Sequence, residues 1–353
     1  MKKELLTASA LAASLVVPGV ASAASMSMSG YSLNGITSND ADSSSDASYS
    51  ATQDSGMSIS VSETTDGGVT ISSGFTLVNE GATSATESGL TLTFTDGSSL
   101  ELIDAGTAYA GAMASVPSAS GEQGLGATSH NTSSTSLTWG SKTAAVGLDW
   151  NSAADFMGVE GLTFGVSAGL GDDATASTAT INTDSGFSVG ATYVTTAGDS
   201  TVTIGGGMVT SEGNSTNQSN ANSDSVALSA SVVTGDLTVG AGFSTGEGLA
   251  QEGSVSINEI DDVEVINVGA SYVSGDMTFT VSYKDGSVKS AELATAAGTS
   301  TDSQEVVGAS VDYAVASGVT ATIGYENRDD TLNGAAVPTD SGGSIYLGAK
   351  ISF

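Results

Sequence analysis

Cysteine is absent from the 353 residues, proline occurs 3 times, histidine once, and charged residues make up only 13% of the chain, about half of the usual share. Each shortage excludes something. Without cysteine there is no disulfide framework and no thiolate chemistry. His130 is the single histidine, which leaves a zinc site or a His-based catalytic triad with too few ligands and bases to build on. No stretch beyond the N-terminus reaches the roughly 18 consecutive apolar residues that a membrane helix needs, so a helical membrane protein is excluded. Positive charge is the scarcest of all: 7 Lys and Arg stand against 39 Asp and Glu, a net charge of -32. A chain so acidic repels the phosphates of nucleic acid, and none is expected as a partner.

What is present begins with an address. Lys2 and Lys3 precede an apolar run from Leu5 to Val17, Pro18 breaks it, and Ala21-Ser22-Ala23 supplies the small residues that a signal peptidase accepts. Residues 1–23 are therefore expected to be a secretory signal and 24–353 one mature domain. Removal of Lys2, Lys3 and Glu4 leaves 5 basic and 38 acidic residues, a net charge of -33.

The mature chain alternates. In the terminal SIYLGAKISF, Ile345, Leu347, Ala349, Ile351 and Phe353 take every second place, which is the period of a strand with one oily face. The same pattern runs through Leu162–Leu170, Phe187–Val194, Val226–Val232 and Met277–Lys284, and the other face is nearly always Ser, Thr or Gly. A soluble sandwich normally sets Lys, Glu and Arg on its outer face. Two architectures fit the small, weakly polar second face: a barrel with lipid outside and water inside, or a secreted β-solenoid. Spacing separates them. Sixteen segments, among them 26–36, 56–63 and 342–353, read as strands. They are joined alternately by tight turns such as Asp96-Gly97 and by long polar segments of roughly 9 to 38 residues, the arrangement of an outer-membrane barrel. A solenoid repeats at a fixed period, and no such repeat is present. The expected fold is all-β: a transmembrane antiparallel barrel of about 16 strands with short periplasmic turns and long outer loops.

Three stretches carry a family likeness. Tyr346-x-Gly348-x-x-Ile351-x-Phe353 resembles the C-terminal signal by which the barrel assembly machinery recognises outer-membrane proteins. Residues 57–80 resemble the second and third strands of the Gram-negative general porins, particularly the alphaproteobacterial type, and residues 89–109 resemble their next hairpin. The resemblance implies a 16-stranded diffusion pore, usually a homotrimer, set in outer-membrane lipid and lipopolysaccharide. It also implies that the long segment 105–141, between the fifth and sixth strands, folds into the barrel and narrows it.

The family sets acids on that loop against an arginine cluster on the facing wall. Here Arg328 is the only arginine, no basic residue lies between Ala24 and Ser141, and the loop carries one acid, Glu122. Projecting the alternation inward gives Glu101, Asp149, Asp312 and Glu326 against Lys284, Arg328 and Lys350, a nearly neutral wall. Most acids are expected in the loops: Asp40, Asp42, Asp46 and Asp54 in the first, Asp172, Asp173 and Asp184 in the fourth, Glu247, Glu252, Glu259, Asp261 and Asp262 in the sixth, and Asp329, Asp330 and Asp340 in the eighth. Fixed negative charge at a pore mouth concentrates cations, so small hydrophilic solutes and cations are the expected cargo. The pairs Asp172-Asp173, Asp261-Asp262 and Asp329-Asp330 could hold Ca²⁺, but without the D-x-D-x-D-G loop they suit weak divalent bridging rather than a built site. No cofactor is expected otherwise. Tyr31, Trp139, Trp150, Tyr193, Tyr272, Tyr283, Tyr313 and Tyr325 are placed as girdle residues at the membrane interfaces. Nothing is expected to be catalysed. The rival reading is a secreted acidic β-rich adhesin or surface-layer protein, which would stay soluble and have no use for a terminal Phe353.

Overall fold

The computed structural model describes residues 24–41, 48–79, 83–102, 108–119, 146–170, 183–213, 223–247, 260–290, 300–331 and 342–353. The expected leader lies outside them. Sixteen strands run through the described residues. The first five are β1 (Ser25–Ala41), β2 (Ser48–Thr64), β3 (Thr70–Asn79), β4 (Thr83–Thr93) and β5 (Ser99–Leu102). A single helical turn, α1 (Ala108–Gly111), separates these from β6 (Val146–Asn151), β7 (Leu162–Leu170), β8 (Thr183–Ala197), β9 (Ser200–Gly213) and β10 (Ser223–Thr234). The last six are β11 (Leu237–Glu247), β12 (Ile260–Ser274), β13 (Met277–Ser290), β14 (Ser300–Ala316), β15 (Val319–Thr331) and β16 (Gly342–Ser352).

Each strand pairs antiparallel with its neighbours in sequence, and β1 pairs with β16, so the sheet closes into a barrel. Closure leaves no edge, and every ladder hydrogen bond is made within the chain. The period-2 pattern then sorts side chains. Along β10, Val226, Leu228 and Val232 are exposed outward while Ser225, Ala227, Ser229 and Ser231 are buried inward. The same holds around the wall, where Val281, Ile323, Ile345, Leu347 and Ile351 stand exposed on the outside. An apolar belt of this kind is incompatible with a water-facing surface and matches the oily band of a membrane barrel.

Tight turns close one rim. Gly235 and Gly275 sit at φ 57° and 62°, a left-handed geometry that only glycine adopts at no cost and that matches the twist of two-residue hairpins. In the turn at Asp96 the carboxylate accepts the backbone N–H and the hydroxyl of Ser98, at 2.9 and 2.7 Å. These bonds hold the Asp96 carboxyl below its usual pKa, so its contribution to the turn is present near neutral pH and fades as pH falls through that lowered value.

The strands overrun their expected ends at the other rim. β1 continues to Ala41 and β2 starts at Ser48, leaving 42–47 where a longer loop, 37–55, separates the two expected strands. The ladder persists beyond the apolar belt, but there both faces are polar and the alternation that marks a strand disappears. Several acids expected in loops therefore belong to strands: Asp40 to β1, Asp54 to β2, Asp184 to β8, Glu247 to β11, Asp261 and Asp262 to β12, Asp329 and Asp330 to β15. Above the belt, Asp224, Glu247, Glu264, Asp285, Glu305 and Asp329 are exposed on the outer face, and Asp285, Glu305 and Asp329 lie on one row across three strands.

At the seam, Phe353 and Gly30 exchange both backbone hydrogen bonds, at 2.9 and 3.0 Å. The Phe353 ring lies flat over Gly30, whose Cβ, if it had one, would stand 2.6 Å from Cζ. Tyr193, Tyr272, Tyr283, Tyr313 and Tyr325 are exposed outward in the belt, as girdle residues should be. Trp150 faces the same side near the short-turn rim and packs edge-on against Phe156, with ring centroids 6.1 Å apart. Tyr31 is a correction: alternation with the outward Met28 and Ile36 turns it to the inner face, where it pairs with Gly56 and its ring covers that glycine.

Candidate functional site

The lumen is occupied by the segment that starts with α1. Residues 108–119 run along the inner wall from β7 to β14, and the wall is built to receive them. Ala108 and Tyr109 donate their backbone N–H groups to the hydroxyls of Ser167 on β7 and Ser188 on β8, at 3.1 and 3.2 Å. The Tyr109 hydroxyl pairs with Ser225 Oγ of β10 at 2.8 Å. Further along, Ala114 N–H donates to Ser229 Oγ at 2.6 Å and Ala119 N–H to Ser282 Oγ of β13 at 3.0 Å. Thr192 of β8 donates back to the Ala112 carbonyl at 2.8 Å. Six such bonds at about 1 kcal/mol each hold a segment with little apolar packing of its own.

Between the hydroxyls the wall is bare. A Cβ on Gly190 or Gly205 would overlap the carbonyl oxygen of Ala108 or Ala112, and one on Gly269 that of Pro117. At Gly240 it would lie 3.0 Å from Pro117 Cδ, and at Gly308 3.0 Å from Ala119 Cβ. Serine donors and acceptors thus alternate with glycine floor across β7 to β14, and the loop backbone lies directly on the wall. Tyr109 is fully buried beside Val209 and Ala227. Gly205 and Gly207, read in sequence as punctuation in a Gly205-Gly206-Gly207 run, are part of this floor in the middle of β9.

The inner face also carries the projected ionisable residues. Glu101 of β5 and Asp149 of β6 are directly paired across strands. Asp312 of β14 accepts the hydroxyl of its cross-strand partner Thr322. Lys284 of β13 and Arg328 of β15 flank Val306 on one row, with Glu326 one pleat below Arg328. This trio stands just beyond Ser282 and Gly308, where Ala119 docks. Lys350 of β16 lies over the Tyr31 ring, 5.3 Å from its centroid, a cation–π distance. Of the terminal signature, Tyr346 and Gly348 face inward, the buried Tyr346 ring covering Gly348 and Gly35, while Ile351 and Phe353 face outward. Glu122, Asp172, Asp173, His130 and Trp139 lie outside the described residues. Among the described residues no three His, Asp or Glu side chains converge on a metal-sized site.

One inner-wall acid escapes the projection. Asp54, read as a loop acid, faces inward on β2, and its Oδ2 accepts the Tyr31 hydroxyl at 2.7 Å. The available signal was Met57, Ile59 and Val61, whose alternation carried back four more residues makes 54 an inward position. The Ser and Gly of the loop track were visible as the weakly polar second face, but nothing in that pattern says what lies on them.

A family model described as Gram-negative porin matches residues 7–333. No curated protein sequence matches the chain. Among solved structures, Salmonella typhi OmpF in complex with daunomycin superposes with a TM-score of 0.65 at 15% identity, covering 93% of this chain and 98% of that one. An anion-selective porin from Comamonas acidovorans gives 0.62 at 13% identity over 94% and 100%. The trimer form of OmpT from Vibrio cholerae gives 0.58 at 15% over 94% and 100%.

Proposed function

This chain belongs to the Gram-negative porin family, and from that premise we propose that its outer-membrane diffusion channel passes small hydrophilic solutes and ions with a weak preference for cations. The observation that carries the reading is the inward loop: residues 108–119 occupy lumen that would otherwise be open water, and a neutral segment on a Ser/Gly wall restricts size without adding charge. Movement through the lumen, with no bond made or broken, is the activity. Preference comes from the surroundings of that neck. Among described inner-wall residues, five acids (Asp54, Glu101, Asp149, Asp312 and Glu326) face three cations (Lys284, Arg328 and Lys350), and the acidic strand ends above the belt add their field at the mouth. Reconstituted in a planar bilayer, the protein should conduct, and a KCl gradient should give a reversal potential of cationic sign. That preference should weaken as salt shortens the screening length from about 30 Å at 0.01 M to about 3 Å at 1 M. Anion selectivity, as described for the Comamonas acidovorans porin, would refute the cation assignment.

The working unit of this proposal is a homotrimer assembled through β1 and β2. In the middle of the apolar belt the outer face of these strands is polar. Asn34 Nδ2 donates to Ser32 Oγ at 3.1 Å and Gln53 Nε2 to Asn34 Oδ1 at 3.3 Å. Their register partners on β16 are apolar: Asn34 pairs with Ala349, Ser32 with Ile351. Amides facing lipid leave donors unmet, whereas another protomer can meet them. Replacing Asn34 and Gln53 together by Leu should leave a folded barrel but reduce the trimer on a native gel and by amine-independent crosslinking; an undiminished trimer would move the interface elsewhere. Mature residues begin after the leader in this reading, the terminal signature serves the assembly machinery, and the acidic strand ends meet lipopolysaccharide, with divalent ions such as Ca²⁺ bridging weakly.

A further inference from the structure

We infer that Asp54 is the residue that sets charge preference at the neck of the channel. The inference rests on the pore reading above and goes beyond it by giving the preference a single address. The loop segment 108–119 contains no charged residue, so the charge met by an ion in the neck is that of the wall opposite. In a closed sheet of sixteen strands, β2 lies eight strands from β10 in either direction, and β10 supplies Ser225 and Ser229, which hold the middle of the loop. Asp54 is on β2, on the inner face, ten residues above the strand's short-turn end at Thr64; Ser225 stands nine above the corresponding end of β10 at Thr234. Loop and carboxylate therefore confront each other across the lumen at a similar depth.

The carboxylate is also fixed in place. Tyr31 donates its hydroxyl to Oδ2 at 2.7 Å, fixing the group against the wall. Oδ1 is buried and accepts no hydrogen bond within the protein. Lys350 lies on the same row with Leu33 between them, its backbone about 10 Å from that of Asp54 across two strand spacings. The Lys350 ammonium sits over the Tyr31 ring, 5.3 Å from its centroid. The other inner acids are placed differently: Glu326 shares its surroundings with Lys284 and Arg328, and Asp312 stands four residues from the short-turn end of β14 at Ala316. Glu101 and Asp149 form a pair on the short strands β5 and β6, Glu101 two residues from the turn at Ser99.

The test is the reversal potential of the purified full-length barrel in a planar bilayer under a KCl gradient, with Asp54→Asn beside wild type and Glu101→Gln as the comparison. A charge within a few ångströms of the ion path is screened less than charges at the mouth, so Asp54→Asn should lower the K⁺/Cl⁻ permeability ratio about two- to threefold at low salt and keep part of that effect at 1 M. Glu101→Gln should shift it less. In a chain without cysteine, Asp54→Cys provides the control for folding: a sulfonate thiol reagent should restore the wild-type ratio and an ammonium reagent should invert the shift. An open channel whose ratio is unchanged by Asp54→Asn, or by both reagents on Asp54→Cys, overturns the assignment of Asp54 and leaves the pore reading standing. A wild-type protein that inserts and conducts nothing overturns both.

Discussion

Side chains added to the glycine floor should unseat the constricting loop. In Gly205→Val and Gly269→Val the new Cβ atoms alone would overlap the carbonyls of Ala112 and Pro117, and the strands cannot retreat because each is bonded on both sides. Overpacking of this kind costs about 1–3 kcal/mol, and with tenfold per 1.4 kcal/mol the ratio of docked to undocked loop should fall by roughly 5- to 150-fold for each substitution. A single-channel trace that is steady in the native protein should then flicker between conductance levels, more so in the double variant. The barrel itself should be unharmed, because valine suits a strand better than glycine does. Position can be fixed independently. Ala119→Cys with Gly308→Cys brings together two Cβ positions 3.0 Å apart, close to the 3.5–4.5 Å that a disulfide spans, so oxidation should crosslink them and quieten the flicker of Gly205→Val. Steady native conductance in both valine variants, together with no crosslink, would show that the loop does not rest on this floor.

Loss of the last residue should be more damaging still. Deleting Phe353 removes two backbone hydrogen bonds to Gly30 at the closing seam, and in lipid each group left unmet costs several kcal/mol. It also removes an aromatic ring that covers a glycine on the first strand. Folded barrel, detected as the band that migrates faster unheated than boiled, should be nearly absent from outer membranes, while secretion across the inner membrane continues. Phe353→Leu keeps the backbone pair and should retain most of the folded protein if closure is what matters. Gly30→Val separates the two roles of the terminus, since it obstructs the ring, and crowds the Gly56 carbonyl of β2, while leaving the C-terminal signature intact. If Gly30→Val assembles normally and Phe353→Leu does not, the residue acts through recognition and the seam contact is incidental.

The barrel was legible because its two environments are written in alternate residues. Lipid outside and water inside impose the same period on every strand, and Val226, Leu228 and Val232 against Ser225, Ser229 and Ser231 spell it out. Projected inward positions such as Asp149, Lys284 and Glu326 followed from parity alone. What could not be read is whatever depends on depth or on a distant partner. Asp54 and Glu247 fall where both faces are polar, so the sequence there looks like loop although the ladder continues. Tyr31 was misplaced because Tyr31 and Leu33 alternate out of step with Met26, Met28 and Ile36, so the stretch holds two apolar sets and does not say which one faces lipid; the second set does. The receiving track for the loop is dispersed over eight strands, one to three small residues at a time, and becomes a surface only after closure.

That track separates the route of the constriction from its composition. Of the six bonds described above, five engage the loop's backbone and one the Tyr109 hydroxyl. The barrel therefore dictates where the loop runs, and it buries the side chains of Ala108, Tyr109, Ala112, Ala114 and Ala119 while Gly111, Ser115 and Ser118 stay exposed. Those exposed positions can be exchanged without redesigning the wall, which makes the neck a cassette: new lumen-facing chemistry can be tried, by selection or by an engineer, on a course that stays the same.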